Sequence, residues 1–576
     1  MQIVWPSPSS KIMKISIAIF IMTGIIVIRL FYLQITLSDF FIKQGKKNFL
    51  HIEKIPSPRG NIIDKNGLFL ATNRPTIDLY WQGSGNNSIT ADQYKTLTLL
   101  EAILSTPLIE NEQLMNAIKT GERRHRAIPI AFDMPFEHIS KIEEQLSNNS
   151  NILLRSSFKR FYPFNSYASH IVGYLGNFDF KMVGKMGLEQ LFEPMLQGEQ
   201  GIVLKTINSL GRNLSQQEIK QSLAGSNIQV TLDITLQGIL EEVFPQEYRG
   251  TFVVMDSYDG GIVGMVSRPN FDPALFLEHM KTEHWQQLQE KQPFLNRAFN
   301  ACYPPGSIFK LITISAALEH NIITPDTCWN CKGYVSFAGR KYWCNNRNGH
   351  GELSTQAGLA KSCNTMFFEI GKQVPIDLLA DYAQRFGLGQ PTHIIFPEKT
   401  GLIPSMQWKI KTKGERWWPG ETLSATIGQS YLLVTPIQIA RMISSIFTGY
   451  LVTPRILTSE PVIKQPLAIA QSTRDFLQES MRSVVQVGTG RGVNTVKDIE
   501  IYAKTSTAQT STYNKRCLGS IYLEHGWFVA YFKYKNNKPL TLVILVEHAG
   551  SSRVAKDIAK QFLIKYKKLA EKLVAQ

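Results

Sequence analysis

Residues 526–548 read GWFVAYFKYKNNKPLTLVILVEH. Two apolar runs, Gly526 to Tyr534 and Pro539 to His548, flank a short polar turn, and this pattern predicts a β-hairpin. Both runs lack a polar face, as is typical of strands that are covered on two sides. The hairpin is therefore predicted to lie inside a sheet with helices on both faces.

A second hairpin of the same kind lies much earlier in the chain. There GTFVVMD (Gly250 to Asp256) and GGIVGMVS (Gly260 to Ser267) are separated by a tight turn, and the strand NIQVTLD (Asn227 to Asp233) leads into a helix before them. Residues 554–573 are an amphipathic terminal helix with apolar residues at three- and four-residue spacing. These segments predict one antiparallel sheet, completed across a long and mainly helical insert.

The insert contains CYPPGSIFKLITISAALEH, Cys302 to His320. The Pro-Pro-Gly breaker predicts that a helix starts directly after it, which places Ser307 and Lys310 on one face of the first turn. Helix N-terminal amides can stabilise negative charge near the serine, and a buried lysine with a lowered pKa can take its proton. By itself S-x-x-K is common, and an N-capping serine beside a solvated lysine is the alternative.

Two later segments favour the catalytic interpretation. KSCNT (Lys361 to Thr365) places Ser362 and Asn364 two residues apart between helical segments. KTSTAQ (Lys504 to Gln509) follows IEIY, a predicted strand. S-x-x-K, S-x-N and K-T-x in this order are the motif set of penicillin-binding proteins and class A β-lactamases.

The chain resembles the class B penicillin-binding proteins, the monofunctional peptidoglycan transpeptidases, over nearly its full length. The segments that carry the resemblance are RGNIIDKNGLFLA (59–71), RFYPFNSYASHIVGYLG (160–176), GKMGLEQLFEPMLQGEQG (184–201), LNRAFNACYPPGSIFK (295–310) and IGQSYLLVTPIQIA (427–440). The segment at residues 524–548, near the end of the chain, is closer in sequence to the elongation (rod-shape) subclass than to the division subclass.

The resemblance implies an α+β multidomain protein. Its expected parts are a short cytoplasmic tail (1–11), a transmembrane helix (12–33), an elongated α+β pedestal or dimerisation-type domain (34–225) and a transpeptidase domain (226–576) with an antiparallel sheet covered by helices. Within the pedestal, residues 86–166 read as mainly helical. The implied function is that of a membrane-anchored D,D-transpeptidase, which crosslinks peptidoglycan during cell-wall elongation and maintains cell shape.

The resemblance also implies roles in acylation. Ser307 would attack the carbonyl of the penultimate D-Ala of a stem pentapeptide, and Lys310 would accept its proton. Ser362 would relay a proton to the leaving D-alanine, while Asn364 would hydrogen-bond the substrate amide. An amine from a neighbouring stem would then attack the ester, and no cofactor is needed.

The third motif is expected to bind the substrate. Lys504 would hold the site positive and keep Lys310 neutral by repulsion, and Thr505 and Thr507 would bind the terminal carboxylate. The backbone N–H groups of Ser307 and Thr507 would form the oxyanion hole. Ser506 stands where the family usually has glycine, and its side chain could crowd the substrate. Ser430 replaces another usual glycine.

A cysteine and histidine cluster lies between the first two motifs. The spacing of Cys328, Cys331, Cys344 and His350 suits a tetrahedral structural zinc site. A Cys328–Cys331 or Cys331–Cys344 disulfide is the alternative in an oxidising compartment. The remaining cysteines are interpreted as packed or flanking residues: Cys302, Cys363 and Cys517.

The N-terminal segment predicts a single membrane anchor. Residues 15–33, ISIAIFIMTGIIVIRLFYL, contain Arg29 as their only charge and are long enough to cross a hydrocarbon core. A cleaved signal peptide is the alternative, although no small-x-small cleavage site follows. We expect a single-pass inner-membrane protein with its catalytic domain in the periplasm or outside the membrane.

Composition limits the remaining alternatives. The 576 residues carry a net charge of +16, and 43% are hydrophobic, which excludes wholesale disorder. No basic-aromatic module supports a nucleic-acid partner. The alternatives are a division-type transpeptidase, a β-lactamase, a D,D-carboxypeptidase, or a β-lactam-binding sensor that does not turn over. By resemblance, the partners are β-lactam antibiotics, a SEDS-type glycosyltransferase and elongation-complex proteins.

Overall fold

A computed structural model describes residues 10–124, 126–147, 149–178, 181–207, 213–278, 280, 282–510, 515 and 518–575. Cys517 and the first nine residues of the predicted tail lie outside these ranges. Helix α1 (Ser10–Phe31) continues through a π-helical turn (Tyr32–Thr36) into α2 (Ser38–Phe49). Residues Ile12–Thr36 are long and apolar enough to span a membrane, and none of that window is buried in the protein.

The next elements alternate between strands and helices. They are β1 (Leu50–Ile55), β2 (Ile62–Ile63), β3 (Phe69–Gln82), α3 (Ala91–Leu104), α4 (Glu112–Arg123), β4 (Ala127–Ala131), α5 (Phe136–Leu146), β5 (Ile152–Phe161), α6 (Ser169–Val172), β6 (Leu175–Phe178), β7 (Lys181–Gly184), α7 (Gly187–Leu191), α8 (Glu193–Leu196), β8 (Gly201–Ile207) and β9 (Asn213–Lys220). Residues 86–166 were predicted to be mainly helical, but they include the ten-residue strand β5. The strand was not predicted because its sequence ILLRSSFKRF lacks a clear alternation of apolar and polar residues.

The rest of the chain holds the large sheet and its helices. Its elements are β10 (Ile228–Gln229), α9 (Ile234–Val243), β11 (Gly250–Asp256), β12 (Ile262–Arg268), α10 (Thr282–Lys291), α11 (Lys310–Glu319), β13 (Cys328–Cys331), β14 (Tyr334–Phe337), β15 (Arg340–Trp343), β16 (Gly351–Ser354), α12 (Thr355–Ala360), α13 (Asn364–Gly371), α14 (Ile376–Arg385), α15 (Met406–Lys413), α16 (Pro419–Thr426), α17 (Pro436–Thr448), β17 (Tyr450–Val452), β18 (Lys464–Pro466), α18 (Gln471–Gln486), β19 (Ile499–Ala508), β20 (His525–Tyr534), β21 (Leu540–Val546) and α19 (Arg553–Ala575).

The described chain divides into two compact units. The first comprises Met1–Arg59, Asn73–Lys159 and Gln197–Gly225, and the second comprises Gly60–Thr72, Arg160–Leu196 and Ser226–Gln576. In the first unit, β1, β8 and β9 form an antiparallel sheet, and the later part of β3 pairs with β4 and β5. A core that includes Trp81, Leu97 and Ile118 packs the helices of this unit together.

The second unit is built on a five-stranded antiparallel sheet in the order β12-β11-β21-β20-β19. Alternate residues of β11 face opposite cores: Phe252 packs with α19, whereas Val253 packs with the helical insert. This confirms the predicted α+β fold with helices on both faces of an antiparallel sheet. Strand β19 is the edge of the sheet, so the K-T-S triad has one open side.

Candidate active site

A surface cleft of about 490 Å³ brings the three motifs together. Its lining includes Ser307, Ser362 and Asn364, together with three consecutive residues of β19, Thr505 to Thr507. Lys310 and Lys504 are fully buried and contact this lining through Ser362. The structure therefore gathers all seven residues that the sequence predicted for catalysis and substrate binding.

Ser307 lies in a tight 3-10 turn, Gly306–Ile308, and helix α11 begins three residues later. The predicted helix thus starts slightly after Ser307. Gly306 has a positive φ of 53°, and its N–H donates to the carbonyl of Gly428 at 2.9 Å. A Cβ at Gly306 would overlap Ser506 Oγ, so the close approach of the turn to β19 requires glycine here.

Lys310 projects from the start of α11 into a buried polar cluster. Its Nζ donates to Ser362 O at 2.8 Å and to Asn364 Oδ1 at 2.7 Å, and it lies 3.1 Å from Ser362 Oγ. Burial lowers the pKa of Lys310 to about 7. A substantial fraction of this amine is therefore uncharged near neutral pH and able to accept a proton.

Ser362 lies between both lysines. Its Oγ is 3.1 Å from Lys310 Nζ and accepts a hydrogen bond from Lys504 Nζ at 3.2 Å. The residue has a positive φ of 55°, which is uncommon for a residue with a side chain. The turn between α12 and α13 holds Ser362 in this conformation and directs its hydroxyl to the two amines.

Lys504 extends from the middle of β19 and also donates to Thr505 O at 3.0 Å. Burial and, secondly, the proximity of Lys310 lower the pKa of Lys504 well below its usual range. For Lys310 the main cause of the lowered pKa is burial. Burial therefore disfavours the charged form of both lysines.

Ser506 makes a contact that the sequence did not predict. The backbone N–H of Ser307, one of the two expected oxyanion-hole donors, donates to Ser506 Oγ at 2.8 Å. Ser506 is 2% exposed, so its hydroxyl is held against the turn. The hydroxyl of this unusual serine thus accepts the hydrogen bond of one of the two backbone N–H groups that were expected to form the oxyanion hole.

Sequence reasoning also missed several residues of the cleft, among them Thr489 and Gln429. Thr489, in the loop after α18, lies with its Oγ1 2.5 Å from Thr505 Oγ1. Gln429 lines the cleft from the turn after α16 and follows Gly428 in the IGQS segment. Neither position is part of the three short motifs, and the IGQS resemblance was the one sequence signal that pointed to Gln429. Ser430 beside it has a φ of 70°, a conformation that favours the usual glycine.

The cysteine and histidine cluster has a different fourth member from the one predicted. The side-chain donors of Cys331, Cys344, His350 and Cys363 all lie within 4.8 Å of one another. Cys328 is exposed and outside this group, because residues three apart on strand β13 point to opposite faces. The fourth member is instead Cys363, which lies in the S-x-N turn and was interpreted from the sequence as an ordinary packed residue.

These four donors fit a tetrahedral zinc ion. Their separations include 3.5 Å from His350 Nδ1 to the Sγ atoms of Cys331 and Cys344, and 3.8 Å between Cys344 Sγ and Cys363 Sγ. Zn–S bonds of about 2.3 Å at tetrahedral angles place sulfur ligands about 3.8 Å apart. All five described cysteines are free thiols, so neither alternative disulfide is formed.

Comparison with known proteins places these features in context. A family model of the penicillin-binding protein dimerisation domain matches residues 54–230, and one of the penicillin-binding protein transpeptidase domain matches residues 250–563. The peptidoglycan D,D-transpeptidase MrdA of Acinetobacter baumannii is 28% identical, with 96% of this chain and 88% of that protein aligned.

Two solved structures are similar over most of the chain. A complex between penicillin-binding protein PBP2 and MreC from Helicobacter pylori gives a TM-score of 0.77 at 26% identity, covering 90% of this chain and 99% of that one. A chain from a peptidoglycan synthase complex that coordinates polymerization and crosslinking gives 0.74 at 28% identity, covering 96% and 98%.

Proposed function

The chain belongs to the penicillin-binding protein transpeptidase family, as an elongation-type class B member, and we propose that Ser307 is the nucleophile with which it acts. It is a peptidoglycan D,D-transpeptidase with a single N-terminal membrane anchor. The observation that carries the assignment is the contact of both buried lysines with Ser362 Oγ beneath the cleft that contains Ser307.

Acylation begins with attack of Ser307 Oγ on the carbonyl carbon of the penultimate D-Ala. The uncharged amine of Lys310 accepts the serine proton as the new C–O bond forms. The backbone N–H groups of Ser307 and Thr507 stabilise the negative oxygen of the tetrahedral intermediate. When the peptide C–N bond breaks, Ser362 Oγ passes a proton from Lys310 to the amine of the departing D-alanine.

The second half-reaction transfers the acyl group to another stem peptide. Its amine attacks the ester carbonyl and gives up a proton to the neutral Lys310, Ser307 Oγ leaves and receives that proton from Lys310, and an amide crosslink forms. Asn364 orients the peptide amide, while Thr505 and Thr507 bind the terminal carboxylate. Lys504 contributes positive charge when that carboxylate enters, because a neighbouring anion favours the protonated amine.

A crosslinking assay distinguishes the proposed transpeptidase from a carboxypeptidase, which hydrolyses the peptide, and from a sensor, which binds without turnover. We expect the detergent-solubilised protein, supplied with uncrosslinked glycan strands, to form crosslinked peptides with release of D-alanine, and Ser307→Ala to form none. D-alanine release without crosslinks would identify a carboxypeptidase. Acylation by penicillin without either product would identify the sensor, the alternative that the Ser506 contact favours.

Replacing Ser506 should speed acylation. In Ser506→Gly and in Ser506→Ala the N–H of Ser307 becomes available to the substrate oxygen, so we expect the penicillin acylation rate to rise about three- to tenfold. The alanine variant keeps the Cβ and therefore separates the hydroxyl contact from crowding. A rise only with glycine would assign the effect to crowding, and unchanged rates in both variants would show that the contact is neutral.

Cys331, Cys344, His350 and Cys363 would hold a structural zinc ion. Bound there, zinc would supply four ligand bonds that join the hairpin of β14 and β15 to the S-x-N turn, because Cys363 lies between Ser362 and Asn364. Its role is structural, and no step of the reaction passes through it.

Metal analysis checks the ligand set directly. We expect about one zinc ion per chain in the purified protein, little in Cys363→Ser, and a normal content in Cys328→Ser, which is the matched control. Absence of zinc from the wild type, or its loss in Cys328→Ser, would contradict the site.

The location and partners follow from the same proposal. The second unit would lie on the periplasmic side of the inner membrane, where crosslinkable peptidoglycan and β-lactams are found. Support for partner proteins comes from the similar chains, one solved with MreC and one within a peptidoglycan synthase complex. A SEDS-type glycosyltransferase and elongation-complex proteins are the corresponding partners for this chain.

A further inference from the structure

One wall of the cleft carries positive charge that the mechanism does not use. Lys341, Trp343, Asn345 and Arg347, from β15 and the turn after it, contribute to the lining. The described lining residues include these two cations and no Asp or Glu. With the charges of Lys341 and Arg347 on this wall, the cleft is suited to an anionic ligand.

Lys341 and Arg347 both lie over the ring of Trp343. Arg347 Cζ lies 5.4 Å from the centre of the Trp343 ring, and Lys341 Nζ lies 5.9 Å from the same centre. Lys341 Nζ also lies 4.6 Å from the centre of the Tyr334 ring. Cation–π contacts restrict both side chains and keep their charged groups near the indole.

The hairpin that presents these cations is fixed against the catalytic helices. Its other face packs Val335 against Phe368 and Leu423. At its end, Asn364 Nδ2 donates to Trp343 O at 3.4 Å, and Asn345 Nδ2 donates to Lys361 O at 3.3 Å. These contacts hold Lys341 and Arg347 at a fixed position relative to the S-x-N motif, as substrate recognition requires.

We propose that Lys341 and Arg347 form an anion subsite that binds a carboxylate of the donor stem peptide upstream of its D-Ala-D-Ala end. This inference rests on the proposed function, in which Thr505 and Thr507 on β19 hold the terminal carboxylate. A second carboxylate on the same peptide then has its own cationic partners on the hairpin. The subsite favours anionic stem peptides over their amidated forms.

Competition with fluorescent penicillin tests the subsite. The competitors are acetylated tetrapeptides that end in D-Ala-D-Ala and carry either Glu or Gln at both upstream positions. We expect the Glu peptide to slow labelling of the wild type at a roughly tenfold lower concentration than the Gln peptide, and this preference to shrink at high salt. In Lys341→Gln/Arg347→Gln the two peptides should compete equally.

The matched control is Arg340→Gln, which removes an exposed cation of the same strand that is not part of the cleft lining. It should keep the preference for the Glu peptide and be labelled by penicillin at the wild-type rate. Equal competition by the two peptides in the wild type overturns the subsite, and so does a preference that survives the double replacement. Failure of the proposed function is a separate result, namely no labelling of wild-type Ser307.

Discussion

Lys310→Met is expected to lower the rate at which penicillin acylates Ser307 by about a thousandfold. The replacement keeps most of the buried side-chain volume but removes the amine that we propose as the acceptor of the serine proton. Lys361→Met, at an exposed lysine one residue before Ser362, is the control and should react normally. Acylation of the Lys310 variant within tenfold of the wild-type rate would assign the base to another group.

The pH dependence of the same reaction reports the charge of Lys310. Only the neutral amine can accept a proton, and burial lowers the pKa of Lys310 to about 7. The acylation rate of the wild type should therefore rise as the pH increases from 6 to 8, with a midpoint near 7, and the residual rate of Lys310→Met should lack this step. A midpoint near the ordinary lysine value of about 10.4 would contradict the assignment.

Glu189→Gln is expected to lower the free energy of unfolding by about 3–5 kcal/mol. Arg160 and Glu189 have side chains that are 2% and 0% exposed, and Arg160 Nε donates to Glu189 Oε1 at 2.7 Å. Arg160 Nη1 also donates to Gly60 O at 2.8 Å, so the pair joins three of the segments that carry the family resemblance. Removing the carboxylate leaves a buried guanidinium without its counter-charge.

Urea unfolding of the solubilised protein measures this loss. Glu369→Gln, which breaks an ion pair between partly exposed side chains with Lys372, should change the unfolding free energy by less than about 1 kcal/mol. The double variant Arg160→Met/Glu189→Leu should recover much of the stability, because no charge is then buried alone. A loss for Glu189→Gln no larger than that of the control would show that the pair is not important for stability.

The sequence predicted those features that local patterns determine. The apolar runs at 250–267 and 526–548 predicted the central strands, because burial on both faces removes alternation. In the structure β11 pairs with β21, and the two hairpins form one sheet. The order of the three short motifs also identified Ser307, Ser362 and Lys504 as parts of one site, although they are far apart in the chain.

Features that depend on tertiary contacts could not be predicted in this way. Spacing alone suggested Cys328 as a zinc ligand. On strand β13, however, Cys328 points to the opposite face from Cys331 and is exposed, and Cys363 from the S-x-N turn joins the cluster instead. The hydrogen bond from Ser307 N to Ser506 Oγ depends on how closely the turn before α11 approaches β19. Thr489 likewise reaches Thr505 from a loop with no motif of its own.

The most direct test is to locate the covalent adduct. After incubation with penicillin, tryptic digestion should give one modified peptide, residues 298–310, with the added mass on Ser307. Fragmentation distinguishes this position from Cys302 in the same peptide, and Ser307→Ala should carry no adduct. An adduct on any other residue, or one that persists in Ser307→Ala, would contradict the account.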